Sequence, residues 1–201
     1  MELVRYIATR SAVLPPIAAS FYEYVFAENG VYIRAKRPEF EAFVPVTNCQ
    51  IRGLAAVEPY FHFNLPRVPA LITSEILERS LSATNSEGKL LEILFHVCWD
   101  GKSWRLEVPQ QVQGHCRCKP IDCGASSSYE RASIEIHSHH VMSTHYSSTD
   151  DADETGLRLY GIIGRLTQQP EFRLRVGVYC NYLEIPANWV FELPQTIVNA
   201  T

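Results

Sequence analysis

Two tight-turn signals constrain this chain more than any other feature. Asn29-Gly30 lies between FYEYVFA and VYIRAKR, and Asp100-Gly101 lies between LLEILFHVCW and KSWRLEV. An Asn-Gly or Asp-Gly pair between aromatic and β-branched runs predicts a β-hairpin, because those residues accept the turn while their neighbours favour a pleated surface. AFVPV and CQIRGLAAV continue in the same β style, interrupted by Pro45 and Gly53. The proline-bounded stretch NLPRVPALI predicts a boundary near Pro69. Residues 1–70 are then a small β-rich N-terminal extension and residues 71–201 the main domain.

After the boundary, a helix is expected from about Thr73 to Asn85. Thr73 or Ser74 would cap it, and Ile72, Ile76, Leu77 and Leu81 would form its apolar stripe. LLEILFHVCW reads as a near-continuous buried strand. Gln110–Tyr129 reads as loop, RASIEIH as a strand, and the segment from Ser147 to Thr155 as an acid-rich helix start. LRLYGIIGRL is expected as a strand. FRLRVGVYC alternates, with Phe172, Leu174, Val176, Val178 and Cys180 on one side. Arg173 and Arg175 fall on the other, expected to be a solvated face. The predicted fold is α/β of the α+β type, with a mixed, mostly antiparallel sheet flanked by helices.

Length and charge exclude several functions. The chain has 201 residues, too few for a (β/α)₈ barrel of about 250. With 18 basic against 22 acidic residues, bulk electrostatics offer nucleic acid no attraction, and none is expected as a partner. Six cysteines are too sparse for a disulfide scaffold. Glu2, the Pro15-Pro16 pair and the lack of a long apolar run argue against a signal peptide or membrane span. A cytoplasmic protein with reduced cysteines and no membrane partner is expected.

The chemistry concentrates in IEIHSHHVMSTHYSSTDDADE. His137 and His139 stand two apart at a strand end, so in extended chain their imidazoles point to one side. Paired imidazoles suit zinc. Asp150, just inside the next helix, can fold back as a third ligand. Two histidines and one carboxylate leave the fourth tetrahedral position open, which is the pattern of a catalytic site holding one Zn²⁺ per chain.

The spacing His137-Ser138-His139, seven residues, Ser147, two residues, Asp150 resembles the JAMM motif of the JAB/MPN (Mov34) metalloprotease family, with no gap. The family also places a glutamate on the strand after the first helix of the domain, and Glu92 occupies that place. Here Ile93-Leu94-Phe95-His96 follows it, where many members have a Cys-Gly-Leu-Leu-like run. Glu135, on the same strand face as His137, is a rival base, and Glu107 a weaker one. The resemblance implies a hydrolase in which zinc activates water. Glu92 would take its proton and pass it to the leaving amine, and Ser147 would donate to the oxyanion. It implies an amide or isopeptide bond at the C-terminal tail of a ubiquitin-like protein as the substrate. DDADETGLRLYGIIGRL, RLRVGVY and the leader are similar to the prokaryotic JAB-type PRTRC system A family. Its cassette also encodes ThiF-like (E1-like) and ParB-like proteins, so a ThiF-like partner is implied too. The competing function is a non-catalytic metal-binding MPN scaffold serving that cassette.

The remaining candidates have plainer readings. His62 and His96 read as structural, and His140 and His145 as residues of the site rim. Asp151, Asp153 and Glu154 are acids that a helix N-terminus favours; Asp153 is an alternative ligand. His115, Cys116, Cys118 and Cys123 lack the Cys-x₂-Cys spacing of a zinc site and read as a loop near the active site. No His-Glu-x-x-His or deaminase signature is present. Only 62 residues follow His139, too few for the barrel of a PHP-type phosphoesterase.

Overall fold

The computed structural model describes residues 2–200. Strand accounts for 40% of the chain and helix for 13%, so the fold is mixed α/β dominated by sheet, as the turn signals imply. Two compact units divide it: the chain up to Leu65 with Ala152–Leu157 and Val176–Leu183, and Pro66–Asp151 with Arg158–Arg175 and the chain from Glu184.

The first unit carries a five-stranded sheet in chain order: β1 (Val4–Ala8), β2 (Tyr22–Ala27), β3 (Gly30–Arg37), β4 (Phe40–Thr47) and β5 (Tyr60–Phe63). β1 and β2 are parallel and the other pairs antiparallel. Val25, Ala27, Tyr32, Phe43 and Val57 form its core. The first hairpin exists, but its turn is shifted: Ala27 pairs with Gly30, which lies in β3. Gly30 is needed there because a Cβ would stand 2.7 Å from the Thr47 carbonyl oxygen. Asn29 instead works through its side chain, which accepts from the Val57 N–H at 3.0 Å and donates to the Val57 carbonyl at 2.8 Å. It pins a segment that is irregular from Cys49 to Val57, where a strand was expected.

The second sheet is built from β6 (Leu94–Trp99), β7 (Trp104–Glu107), β10 (Ile134–Ser138), β11 (Leu157–Gly164), β12 (Glu171–Val178), β13 (Asn181–Ile185) and β14 (Val198–Asn199). Its order is β13-β12-β11-β10-β6-β7, with β14 on β12. Between β7 and β10 lie a small hairpin, β8 (Gln111–Gln113) with β9 (Cys118–Pro120), and the one-turn helix α2 (Ser128–Arg131). Helix α1 (Ala70–Ser82) precedes β6, and α3 (Ser148–Asp153) joins β10 to β11. Phe95, Val97, Ile134, Ile136, Leu159, Ile162 and Ile163 are fully buried on the three central strands. Each such side chain contributes about 1.5–3 kcal/mol by leaving water. β10 is hydrogen-bonded on both edges, parallel to β11 and antiparallel to β6.

Three local expectations are corrected. Helix α1 starts at Ala70 directly after Pro69, without a side-chain cap, and ends at Ser82. It buries Thr73, Ile76 and Ser80, while Leu81 is exposed; Ser80 is accommodated because its hydroxyl donates to the Ile76 carbonyl at 2.7 Å. The run LLEILFHVCW becomes strand only from Leu94, because the Glu92 N–H donates to the Gly114 carbonyl rather than to a ladder. The alternation of FRLRVGVYC stops at Val178: Tyr179 and Cys180 adopt positive φ and Cys180 is exposed. Among the described residues, no helix is long and apolar enough to cross a membrane.

Candidate metal centre

Strand alternation and the parallel pairing together place the site. On β10, Glu135 and His137 share one face, and Ile134, Ile136 and Ser138 the other. A strand running parallel to its successor needs a long crossover. Residues 139–156 are that crossover, and they hold His139, Ser147 and Asp150. The site therefore forms beyond the carboxyl end of β10, where crossovers of parallel strands leave room for ligands.

His137, His139 and Asp150 converge, with one donor atom from each lying within 4.8 Å of the others. The two Nε2 atoms are 3.0 Å apart, and His137 Nε2 is 3.3 Å from Asp150 Oδ1. Donors held about 2.0–2.1 Å from a shared tetrahedral cation stand about 3.3 Å from one another, so the spacing fits a small divalent ion. Tautomer chemistry agrees. His139 Nδ1 donates to the Ser143 carbonyl at 2.9 Å, which leaves the Nε2 lone pair facing the cluster. Burial lowers the His137 imidazole to about 4, against the opposing pull of the Asp150 carboxylate, so it is neutral and able to ligate at ordinary pH.

Ser147 and Asp150 form a reciprocal cap at the start of α3. The Asp150 N–H donates to Ser147 Oγ at 3.2 Å, while Asp150 Oδ2 accepts from the Ser147 N–H at 2.6 Å and from its hydroxyl at 2.7 Å. Helix capping alone accounts for this pairing. It does not account for the second oxygen, Oδ1, which faces His137. One carboxylate thus fixes the helix with one oxygen and offers the other to the cluster.

Glu92 lies two residues before β6 rather than on a strand. Gln113 Nε2 donates to its carbonyl at 2.9 Å, and its side chain is buried. Burial, and then the nearby Asp150 charge, push its carboxyl up to about 8. Among the described residues that carboxyl group makes no hydrogen bond. Glu135 differs. Burial works to raise it, but the His96 imidazole and the Arg158 guanidinium outweigh burial and hold it below the usual carboxylate range. It sits 3.0 Å from Arg158 and 3.4 Å from His96, committed to structure. Glu107 is bound to Arg131 at the surface.

Two supports escaped the sequence reading. Ser138, between the histidines, is fully buried; its hydroxyl accepts from the Ile93 N–H at 3.1 Å and its N–H donates to the Ile93 carbonyl at 3.1 Å. It thereby ties the Glu92-bearing segment to the metal-binding strand. Strand alternation could have shown it pointing away from the histidines. Arg175, expected on a solvated face, is buried: it donates to Asp151 at 2.6 Å and lies 3.9 Å over the Tyr146 ring. A cation facing acids placed later in the fold leaves no local signal.

The crossover is held tightly. His140 adopts φ +45, a conformation costly for a non-glycine residue. The Leu166 N–H donates to the His140 carbonyl at 2.7 Å and the Arg165 N–H to the Met142 carbonyl at 2.9 Å, locking the turn. Gly164 lets it lie against the end of β11, since a Cβ there would stand 2.6 Å from the Met142 oxygen. His145 is exposed and bonded to Ser143 Oγ, and Asp153 is exposed. His96 is fully buried against Ser128, but His62 is exposed, stacked on Tyr60. All six cysteines are free, and none joins a three-donor group among the described residues.

No model of a known protein family matches the chain, and no curated protein matches it.

Proposed function

We infer that the chain is a zinc metallopeptidase of JAB/MPN type. It hydrolyses an amide or isopeptide bond at the C-terminal tail of a ubiquitin-like protein. The observation that carries this reading is the convergence of His137, His139 and Asp150, with the buried Glu92 near enough to feel the Asp150 charge. That convergence uses the residues of the motif His137-Ser138-His139-x₇-Ser147-x₂-Asp150. Two imidazoles and one carboxylate favour zinc over the harder divalent ions, which prefer oxygen-rich sites.

Zinc, when bound, supplies a Lewis acid that lowers the pKa of water toward 7. The chain's residues do the rest. Glu92, buried near Asp150, takes a proton and returns it to the departing amine. Ser147, exposed at the helix start, turns its hydroxyl from Asp150 to the oxyanion, a contact worth about 3 kcal/mol in other hydrolases. Arg175 and the reciprocal cap keep the start of α3 in position for both tasks.

Metal analysis tests the first half of the reading. About one zinc per chain is expected in the wild type, lost in His137→Ala and Asp150→Ala. Cleavage of a ubiquitin-like fusion tests the second, with Glu92→Gln as the inactive control. A zinc-loaded wild type that leaves every such fusion intact overturns the peptidase and points to a non-catalytic MPN scaffold in a ThiF-containing cassette.

A further inference from the structure

Beside the metal centre is a cavity of about 330 Å³, lined by Lys89, Leu90, His115, His139, His140, Val141 and Met142. It reaches the lower range of volumes for ligand pockets. His139, a residue of the three-donor group, is part of its lining. A peptide whose bond reaches the cluster advances about 3.3 Å per extended residue. The residue flanking that bond is therefore within reach of His139 and its neighbours.

The lining states what it will accept. Leu90, Val141 and Met142 are apolar; Val141 is 55% and Met142 41% exposed, in consecutive positions beside a functional centre. Both bases are already engaged: Lys89 pairs with Glu87 at 3.0 Å, and His115 Nδ1 bonds the Leu90 carbonyl at 2.8 Å. Nothing there calls for an acidic guest. His140 is 5% exposed, and its ring nitrogens find no partner among the described residues. Its strained backbone forms the bend that shapes the wall.

We propose that this cavity is a specificity pocket, which takes one apolar side chain of leucine to phenylalanine size from the residue flanking the scissile bond. The inference rests on the metallopeptidase reading and adds a substrate class to it: bonds flanked by a bulky apolar residue, in preference to bonds flanked by glycines alone. A glycine at that place would leave Leu90, Val141 and Met142 in contact with water.

Binding of peptide hydroxamates to zinc-loaded full-length protein tests this without requiring turnover. Two series are used, with the variable residue on the acyl side of the hydroxamate or on its amine side. Leucine is expected to bind about tenfold or more tightly than glycine in one series, as for burial of a whole aliphatic side chain. Met142→Trp and Val141→Trp, both at exposed positions, are expected to fill the cavity and bring the leucine-to-glycine ratio close to one. Zinc content and glycine binding should stay at wild-type levels. Equal binding of leucine and glycine in both series overturns the pocket and leaves the metal centre standing. A ratio unchanged in both filled variants, with zinc retained, overturns it as well. Failure of zinc-loaded protein to bind any hydroxamate overturns the metallopeptidase reading, and the pocket with it.

Discussion

Two buried carboxylates in this molecule have opposite fates. Glu23 is fully buried in the five-stranded sheet, where its oxygens accept from the N–H groups of Ala18 and Ala19 at 2.8 and 3.1 Å. Arg34 adds two more donors at 2.8 and 2.5 Å. Burial works to raise this carboxyl, but the backbone donors and Arg34 overcome it and hold it below its ordinary value. Glu92 is almost as buried and is left without such donors, so burial pushes it up to about 8. A carboxylate saturated by its own chain is held toward its charged form, and one left without donors is pushed toward its protonated form.

The sharpest break in this contrast is Glu92→Gln. Cleavage is expected to fall by about 10²- to 10⁴-fold, the contribution of a general base, with zinc content unchanged. If activity survives, Glu92 is not the base. Arg34→Ala does the opposite. It strands a buried charge and is expected to cost about 3–5 kcal/mol in denaturant unfolding, without altering zinc per folded chain. Next in size is Gly164→Ala. Its Cβ would meet the Met142 backbone oxygen, and a loss of about 1–3 kcal/mol with weakened zinc binding is expected. A stability loss with zinc affinity intact would show that the crossover does not set the metal site.

Ser138→Ala removes one buried hydrogen bond, with an expected cost of about 1 kcal/mol by chemical denaturation. The last check is a slope, read across pH rather than at one condition. In metal-free protein the folded state keeps the Glu92 proton after the unfolded chain has lost it. Between its ordinary value of 4.5 and about 8, stability should therefore fall as pH rises. Glu92→Gln should flatten that part of the wild-type profile. Identical profiles for the two proteins would show that Glu92 is not shifted.

Hydrophobic patterning was legible wherever the constraint was local. The hairpin between β2 and β3, the buried strand that becomes β6 and the strand that carries His137 all follow from side-chain type and period. Patterning failed where a distant partner decided the outcome. Cys49–Val57 has β-forming residues, yet Asn29 fixes its end as loop. Arg175 alternates as a surface residue should, yet Asp151 and Tyr146 enclose it.

Two imidazoles at a two-residue spacing on extended chain, and an aspartate in the first turn of the next helix, are set by residue order. Strand and helix periods fix those directions before any packing occurs. Packing selects which glutamate is left near them without a counter-charge. Glu92, Glu107 and Glu135 are alike as residues. What separates them is the company each keeps after folding: Arg131 for Glu107, Arg158 and His96 for Glu135, and no counter-charge for Glu92. Protonation depends on burial and on charges brought together from distant parts of the chain.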